Sequence, residues 1–581
     1  MNLEEEVFLN IDNQLFKVKK NVLCEHSDYF RAMFSGNYVE KEKQEISIDV
    51  VDAESMKLIL KYMEIGLIDL SEHSLTTVGE LAVAANFLQI TELIKQIEYC
   101  LDIQLSISNW METMMIAERS SYAKLEQLSA AFGLLSFKAM KPDYVPSILK
   151  LYWYLSHPYL DARNELDVFK FGLKWIISNE TGADALMIVL CCLDMTRLTT
   201  AEIEEMATLA TDYANSLGNK VVDCLYDFSC RDLELSPPIV TEQKSYLLEM
   251  YSERVYNEVL SLVKQSRPRQ HFYTPAVPIL LVKDSKPEIA PHCMYTYTEE
   301  KGFEKWIEVA EKNLWGWNVV AWGPNKLVVV CGEHGRGTGM FMKAVKVYDT
   351  LRMEWTKHGV ELPPRRHGGV AVVDDSLFIV GGVGGFRVVL DTGIIYDLNR
   401  RSYRKIAKLP DAIQSPAVCA HKNTAYAAGH KNIYRYEETG LSDRWFRVIQ
   451  TDIRINCMIS FKDYIYCTQN YFNHLNRFRP DVDSSLELIT QFANPPATIC
   501  NLGNRLLVFT MWTTCGQADV LAVEEFTGSA DGPKVMWSQT DTAMKVNDVA
   551  GSCSLVLNMP PISLPPVQYH IRYLNQYSTF A

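Results

Sequence analysis

The stretch RRHGGVAVVDDSLFIVGG, residues 365–382, followed by IIYDLNRRSYRKIAKLP, residues 394–410, decides how the second half of the chain is read. Short apolar runs, GVAVV, SLFIV and IIYD, alternate with Asp374-Asp375, a diglycine and Asn399-Arg400-Arg401. Runs of that length, rich in Val, Ile and aromatic residues and bounded by turn formers, predict antiparallel strands joined by tight turns.

The same texture recurs on either side. Weaker copies are VVAWGPNKLVVVCG with VKVYDTLRMEWTKH, AVCAHKNTAYAAG with IYRYEETGLSDRWFRVI, CMISFKDYIYCTQ with LNRFRPDVDSSLELI, and ATICNLGNRLLVFT with VLAVEEFTGSADGPKVMW. Their period, roughly 45 residues, is that of a propeller or another stacked array. A tyrosine followed about nine residues on by an aromatic recurs, as Tyr297/Trp306, Tyr348/Trp355, Tyr396/Tyr403 and Tyr436/Trp445, and degrades at Phe478/Leu486 and Val523/Trp537. The first copy, MYTYTEEKGFEKWIEV, shows only its second half, and the last, AGSCSLVLNM, only its first. Joined, they complete a sixth blade and leave no sheet edge open.

Upstream the texture changes twice. Residues 106–265 keep a helical period, through WMETMMIAERS, AKLEQLSAAFGLLSFKAM and ELDVFKFGLKWIISN, then past Pro237-Pro238 into YLLEMYSERVYNEVLSLVKQ and a polar SRPRQ linker. Residues 1–105 are mixed. VFLNI and LFKV flank Asp12-Asn13 as a hairpin, and ISIDVV reads as a further strand. Ser27 caps a helix whose Phe30, Met33 and Phe34 share one face, and Gly36 stands where a left-handed helix end is expected. Past that helix comes Tyr38-Val39-Glu40, an apolar ring beside a carboxylate. It is read either as a docking point for another chain or as a ring that staples its own loop.

The totals limit the function. A net charge of −14 argues against nucleic acid or an anionic membrane as the main partner. Fourteen cysteines without a CxxC pair, and an acidic N-terminus, predict a reduced interior without a zinc site. No nucleophile, metal-ligand or phosphate-loop motif is present; GEHGRGTG, residues 332–339, is glycine-rich but lacks the lysine and the following helix. No cofactor is expected.

Taken together, Leu15-Phe16 through Leu23, SDYFRAMF and AANFLQITEL resemble a BTB domain (1–105). NELDVFKFGLKWI resembles a BACK domain (106–265 with its linker), and the diglycine copy with its neighbours resembles Kelch repeats (266–581). The chain is similar to the BTB–BACK–Kelch proteins. The resemblance implies an α/β BTB module, an all-helical BACK arm and a six-bladed all-β propeller. It also implies a non-catalytic substrate adaptor of a cullin-3 RING ubiquitin ligase in the cytoplasm, with the nucleus and cytoskeleton as further compartments. On this likeness Tyr38, Val39 and Glu40 face cullin-3. The propeller binds the protein to be ubiquitinated, with Arg336, Arg365, Arg366, His367 and Arg454 on the binding face and an acidic degron as the fitting ligand. The alternative is a scaffold for actin or another cytoskeletal partner. Two departures accompany the likeness. The chain starts at the first strand, as in members with a shortened N-terminus, which weakens the expected BTB homodimer. An aspartate–histidine pair of the BTB core becomes Glu6 and Lys19, opposite charges that can still pair.

Overall fold

The structure is a computed structural model. It describes residues 5–36, 38, 43–162, 164–179, 183–210, 269, 273–281, 291–440, 442–469, 471–513, 519–528, 532–538 and 546–557. Val39, Glu40, Pro237-Pro238 and the YLLEMYSERVYNEVLSLVKQ segment lie outside the described residues. The chain divides into two compact units, residues 1–271 with 559–581, and residues 272–558.

The first unit opens with strands β1 (Glu6–Ile11) and β2 (Gln14–Lys19), a hairpin whose Asp12 and Asn13 both take left-handed backbone, at φ 49° and 60°. Two residues at positive φ give the turn whose twist matches the strands. The short β3 (Glu45–Ser47) lies parallel to β1, so only the start of ISIDVV is strand. Glu6 and Lys19 face each other in register, but Glu6 pairs with Lys17 at 2.7 Å. Lys17 and Lys19 project to the same side of β2, and the shorter reach went to Lys17.

Helices α1 (Lys20–His26), α2 (Asp28–Ser35), α3 (Ala53–Ile65), α4 (Leu75–Phe87) and α5 (Thr91–Ile103) cover the sheet. Ser27 does cap α2: its hydroxyl accepts from the Phe30 amide at 3.2 Å and donates to the Leu88 carbonyl at 2.5 Å. Phe30, Met33 and Phe34 are buried as one face. Gly36 is not left-handed; its backbone is extended, at φ −78° and ψ −173°. Glycine serves close approach there, since a Cβ would sit 2.7 Å from the Tyr38 ring.

The helical texture continues through α6 (Trp110–Arg119), α7 (Ala123–Leu135), α8 (Ile148–Ser156), α9 (Glu165–Ser178) and α10 (Ala183–Cys191). Their core is built on Trp110, Tyr154, Phe169 and Trp175, with Cys191 and Cys192 as buried small hydrophobes. Gly133 lets the Trp110 ring lie against α7, where any Cβ would come within 2.3 Å of it. Arg269 packs back into these helices against Glu165.

Among the described residues, the second unit holds five four-stranded antiparallel sheets, a two-stranded ribbon of Leu314–Trp315 with Glu333–His334, and a further sheet completed from both ends of the unit. Blade I joins Tyr273–Leu281, Pro291–Thr298 and Gly302–Lys312 to the late strands Val546–Val549 and Cys553–Val556. Blades II to VI follow in sequence, with first strands Asn318–Trp322, Gly369–Val373, Val418–His421, Ile455–Phe461 and Pro496–Leu502. These first strands lie side by side around a ring, with Cys553–Val556 between blades VI and II. That is the architecture of a six-bladed Kelch-type propeller.

The aromatic pairing holds at Tyr348/Trp355, Tyr396/Tyr403 and Tyr436/Trp445, which are cross-strand partners, and the degraded pair Val523/Trp537 keeps the same cross-strand relation. Blade I differs. Tyr297 sits opposite Phe303, and Trp306 turns to the Tyr348 ring of blade II, 5.6 Å away edge-on. The short turn that pairs Thr298 with Gly302 sets Tyr297 against Phe303, three residues before Trp306.

Candidate functional site

In each blade the strands run antiparallel in order. The connection from second to third strand and the one into the next blade therefore emerge at one end of the ring. Arg336, Arg365, Arg366, His367 and Arg454 all lie on such connections.

They do different things there. Arg365 is buried. Its guanidinium donates to the Gly381 carbonyl and, at 2.9 Å and 3.1 Å, to the Thr392 carbonyl and hydroxyl, so it holds the long loop of blade III. His367 is half-buried at φ 50° and links three blades through its backbone. Its amide donates to the Gly316 carbonyl at 2.6 Å, and its carbonyl accepts from the Ser415 amide at 2.9 Å. Burial, then the charges of Arg366 and Arg336, keep its imidazole pKa below the usual value. Arg366 pairs with the buried Glu333 at 2.9 Å. Arg336 and Arg454 are exposed.

Glu333 explains the glycine-rich loop. Its carboxylate accepts the Gly337 and Gly339 amides at 3.0 Å and 2.7 Å, beside Arg366. Burial opposes ionisation, but those amides with Arg366 and Arg387 outweigh it and hold the carboxyl below its ordinary range. A loop of the kind that cradles an anion is here wrapped around the protein's own carboxylate.

Among the described residues, three loops on this end also expose apolar groups: Met340 in blade II, Phe386 and Val388 in blade III, and Tyr471 and Phe472 in blade V. Sequence reasoning passed over these and over Arg387. The available signal was GGFRVV, an aromatic and an arginine set directly after glycines in a turn region.

In the first unit, Tyr38 is 59% exposed, its ring lying over Gly36. Elsewhere on that unit Ile65, Leu67, Tyr99 and Ile103 are all exposed. Gln96, Tyr99 and Ile103 share one face of α5, and the Gln96 amide reaches the Gly66 carbonyl, just past the end of α3, at 3.2 Å. No helix among the described residues is long and apolar enough to cross a membrane. Among the described residues no group of three or more His, Cys, Asp or Glu is placed to hold a metal ion.

Comparison with known proteins agrees with this division. The BTB/POZ domain family matches residues 2–105, and the Kelch motif matches residues 364–410, the diglycine copy. Kelch-like protein 26 of Danio rerio is 28% identical over 189 residues, covering 32% of this chain and 31% of that protein. Kelch-like protein 15 of Danio rerio is 30% identical over 181 residues, 29% of each chain. Kelch-like protein 26 of Homo sapiens is 28% identical over 189 residues, 32% of this chain and 30% of that protein. The matched segments thus span about three tenths of these relatives. With a BTB/POZ domain at one end, a Kelch motif inside a ring of four-stranded sheets, and matches to Kelch-like proteins, the chain carries the modules of BTB–Kelch proteins and is similar to them.

Proposed function

We propose that the protein is a non-catalytic adaptor: its N-terminal unit docks cullin-3 of a RING ubiquitin ligase, and its propeller holds the protein to be ubiquitinated. The observation that carries this reading is the exposed Tyr38 ring just past α2, on a BTB unit that shares its chain with a propeller. An exposed aromatic next to a carboxylate suits a helical partner, the ring supplying burial and Glu40 orientation. The exposed Ile65, Leu67, Tyr99 and Ile103 of the same unit add apolar surface that a partner can cover. Holding a client and a ubiquitin-loaded ligase on one chain raises their effective concentration, which suffices for an adaptor without chemistry of its own.

The test is co-purification of the full chain with cullin-3. Tyr38→Ala and Glu40→Ala together weaken the complex by tenfold or more, an effect of roughly 1.4 kcal/mol. Because Tyr38 is exposed, the thermal transition stays in place. A chain that never retains cullin-3, yet co-sediments with actin filaments before and after these changes, is a scaffold instead.

A further inference from the structure

The loop of blade III from Gly381 to Leu390 is rigid. Val383 pairs with Arg366 through two backbone bonds of 2.9 Å and 2.8 Å. The Gly384 amide donates to the Val388 carbonyl at 2.9 Å, and the Leu390 amide to the Gly382 carbonyl at 2.8 Å. At its tip Phe386 and Arg387 both take left-handed backbone, at φ 54° and 61°, and the Phe386 side chain is fully exposed. For an aromatic residue this is strained backbone, and its ring recovers nothing from burial. A braced loop that spends stability twice to hold a ring in water is preorganised for a partner.

The charge beside it points the same way. The Arg387 guanidinium passes within 2.9 Å of the Cβ position at Gly337, which brings it over the blade II loop next to Arg336. Arg366 is already committed to Glu333, whereas Arg336 and Arg387 make no hydrogen bond or ion pair among the described residues. Arg387 adds to the positive field on Glu333 but, like Arg336, keeps its guanidinium donors open, so two exposed guanidiniums from neighbouring blades stand beside an unburied aromatic, with the exposed Met340 on the same loop as Arg336.

We propose that Phe386, Arg336 and Arg387 form one composite contact, and that it takes a client segment in which a carboxylate lies within a few residues of bulky apolar side chains. The arginines receive the carboxylate in charge-assisted bonds, and Phe386 packs against the apolar neighbours. A purely acidic segment leaves the ring in water; a purely apolar one leaves two positive charges desolvated. This inference rests on the reading of the propeller as the client-binding unit.

Panning a phage-displayed library of random peptides against the full chain tests it, followed by fluorescence polarisation with synthetic copies of the recovered peptides. Recovered sequences carry Asp or Glu next to Leu, Ile, Phe, Tyr or Trp. Phe386→Asn weakens their binding by roughly tenfold or more, as does Arg336→Gln combined with Arg387→Gln. Asparagine accepts left-handed backbone better than phenylalanine. The Phe386→Asn protein is therefore at least as stable as the parent, and lost binding is not lost fold. Affinity falls as salt rises in the parent and much less in the double arginine variant. Recovery of no peptides, of peptides without a carboxylate, or of peptides indifferent to Phe386→Asn overturns the proposal. A chain that binds these peptides but not cullin-3 upholds this contact while sinking the ligase reading, so the two fail separately.

Discussion

Arg269 and Glu165, 104 residues apart in sequence, meet as a buried two-point ion pair: Nε donates to one carboxylate oxygen at 3.0 Å and a terminal nitrogen to the other at 2.9 Å. The carbonyls of Leu155, His157 and Cys192 take further bonds from the same guanidinium. Removing Arg269 leaves the buried Glu165 with only the longer 3.5 Å pairing to Arg197 and the Asp194 amide at 3.4 Å. Arg269→Met is expected to destabilise the N-terminal unit by about 3–5 kcal/mol. Arg269→Lys cannot restore the planar two-point geometry and recovers little. Urea denaturation of the full chain, read from the helical signal, checks this. Wild-type stability in Arg269→Lys would show that charge alone matters.

Gly382 takes φ 92°, and a Cβ there would lie 2.7 Å from the Arg366 carbonyl and 2.9 Å from the Gly368 amide. Both neighbours are backbone and cannot swing aside. Gly382→Ala is expected to cost about 2 kcal/mol or more, combining strain and overlap. Differential scanning calorimetry should show the β unit melting earlier with the helical transition unmoved. An unchanged β transition would mean that the loop relaxes freely.

Two propeller histidines make the second unit acid-sensitive. Burial is the main reason that His292 and His358 are pushed down to about 4 from 6.5. The Nε2 atom of His292 accepts the Leu314 amide at 2.6 Å, so it must stay unprotonated, and His358 bonds the Tyr396 hydroxyl at 2.9 Å. With the folded pKa below the unfolded one, the unfolded chain gains protons first as pH falls. Stability is therefore complete above pH 6.5 and is lost between about 6.5 and 4, by up to roughly 3 kcal/mol per histidine. His292→Gln keeps an acceptor for Leu314 without a titrating group. Its unfolding free energy should change less between pH 7 and pH 5 than that of the parent, and an equal change would remove His292 from the account.

Ser27 satisfies two backbone groups at once, the Phe30 amide and the Leu88 carbonyl. Ser27→Ala should lower stability by roughly 1–2 kcal/mol, near the upper end for a helix cap. Chemical denaturation followed by circular dichroism measures it, and a loss under a few tenths would place the seryl contribution elsewhere.

Most of the architecture was legible because it is written in periodicity. The hairpin at Asp12-Asn13, the Phe30, Met33 and Phe34 face and the cross-strand Tyr348/Trp355 pair follow from spacing alone. What failed depended on three-dimensional neighbours. Gly36 ends α2 as its position suggests, but with extended rather than left-handed backbone under the Tyr38 ring, and Glu6 chose Lys17 over the residue opposite it. The binding face was least legible. Arg365 and Arg366 are adjacent and chemically alike, yet one supports the Gly381 loop and the other neutralises Glu333. Nothing in the local string distinguishes them, because their partners lie on other strands. Phe386 was missed because a lone aromatic in a loop carries no period.

The pairing of Cys553–Val556 with Tyr273–Ala276 has a consequence for biosynthesis. The innermost strand of blade I is among the last parts of the propeller to leave the ribosome, while its partners emerge nearly three hundred residues earlier. Until then the inner edge of blade I, Tyr273–Ala276, is bare, the kind of surface that invites mispairing between nascent chains. Premature termination a few codons before residue 553 would therefore do more damage than its length suggests: it would leave a ring without its clasp.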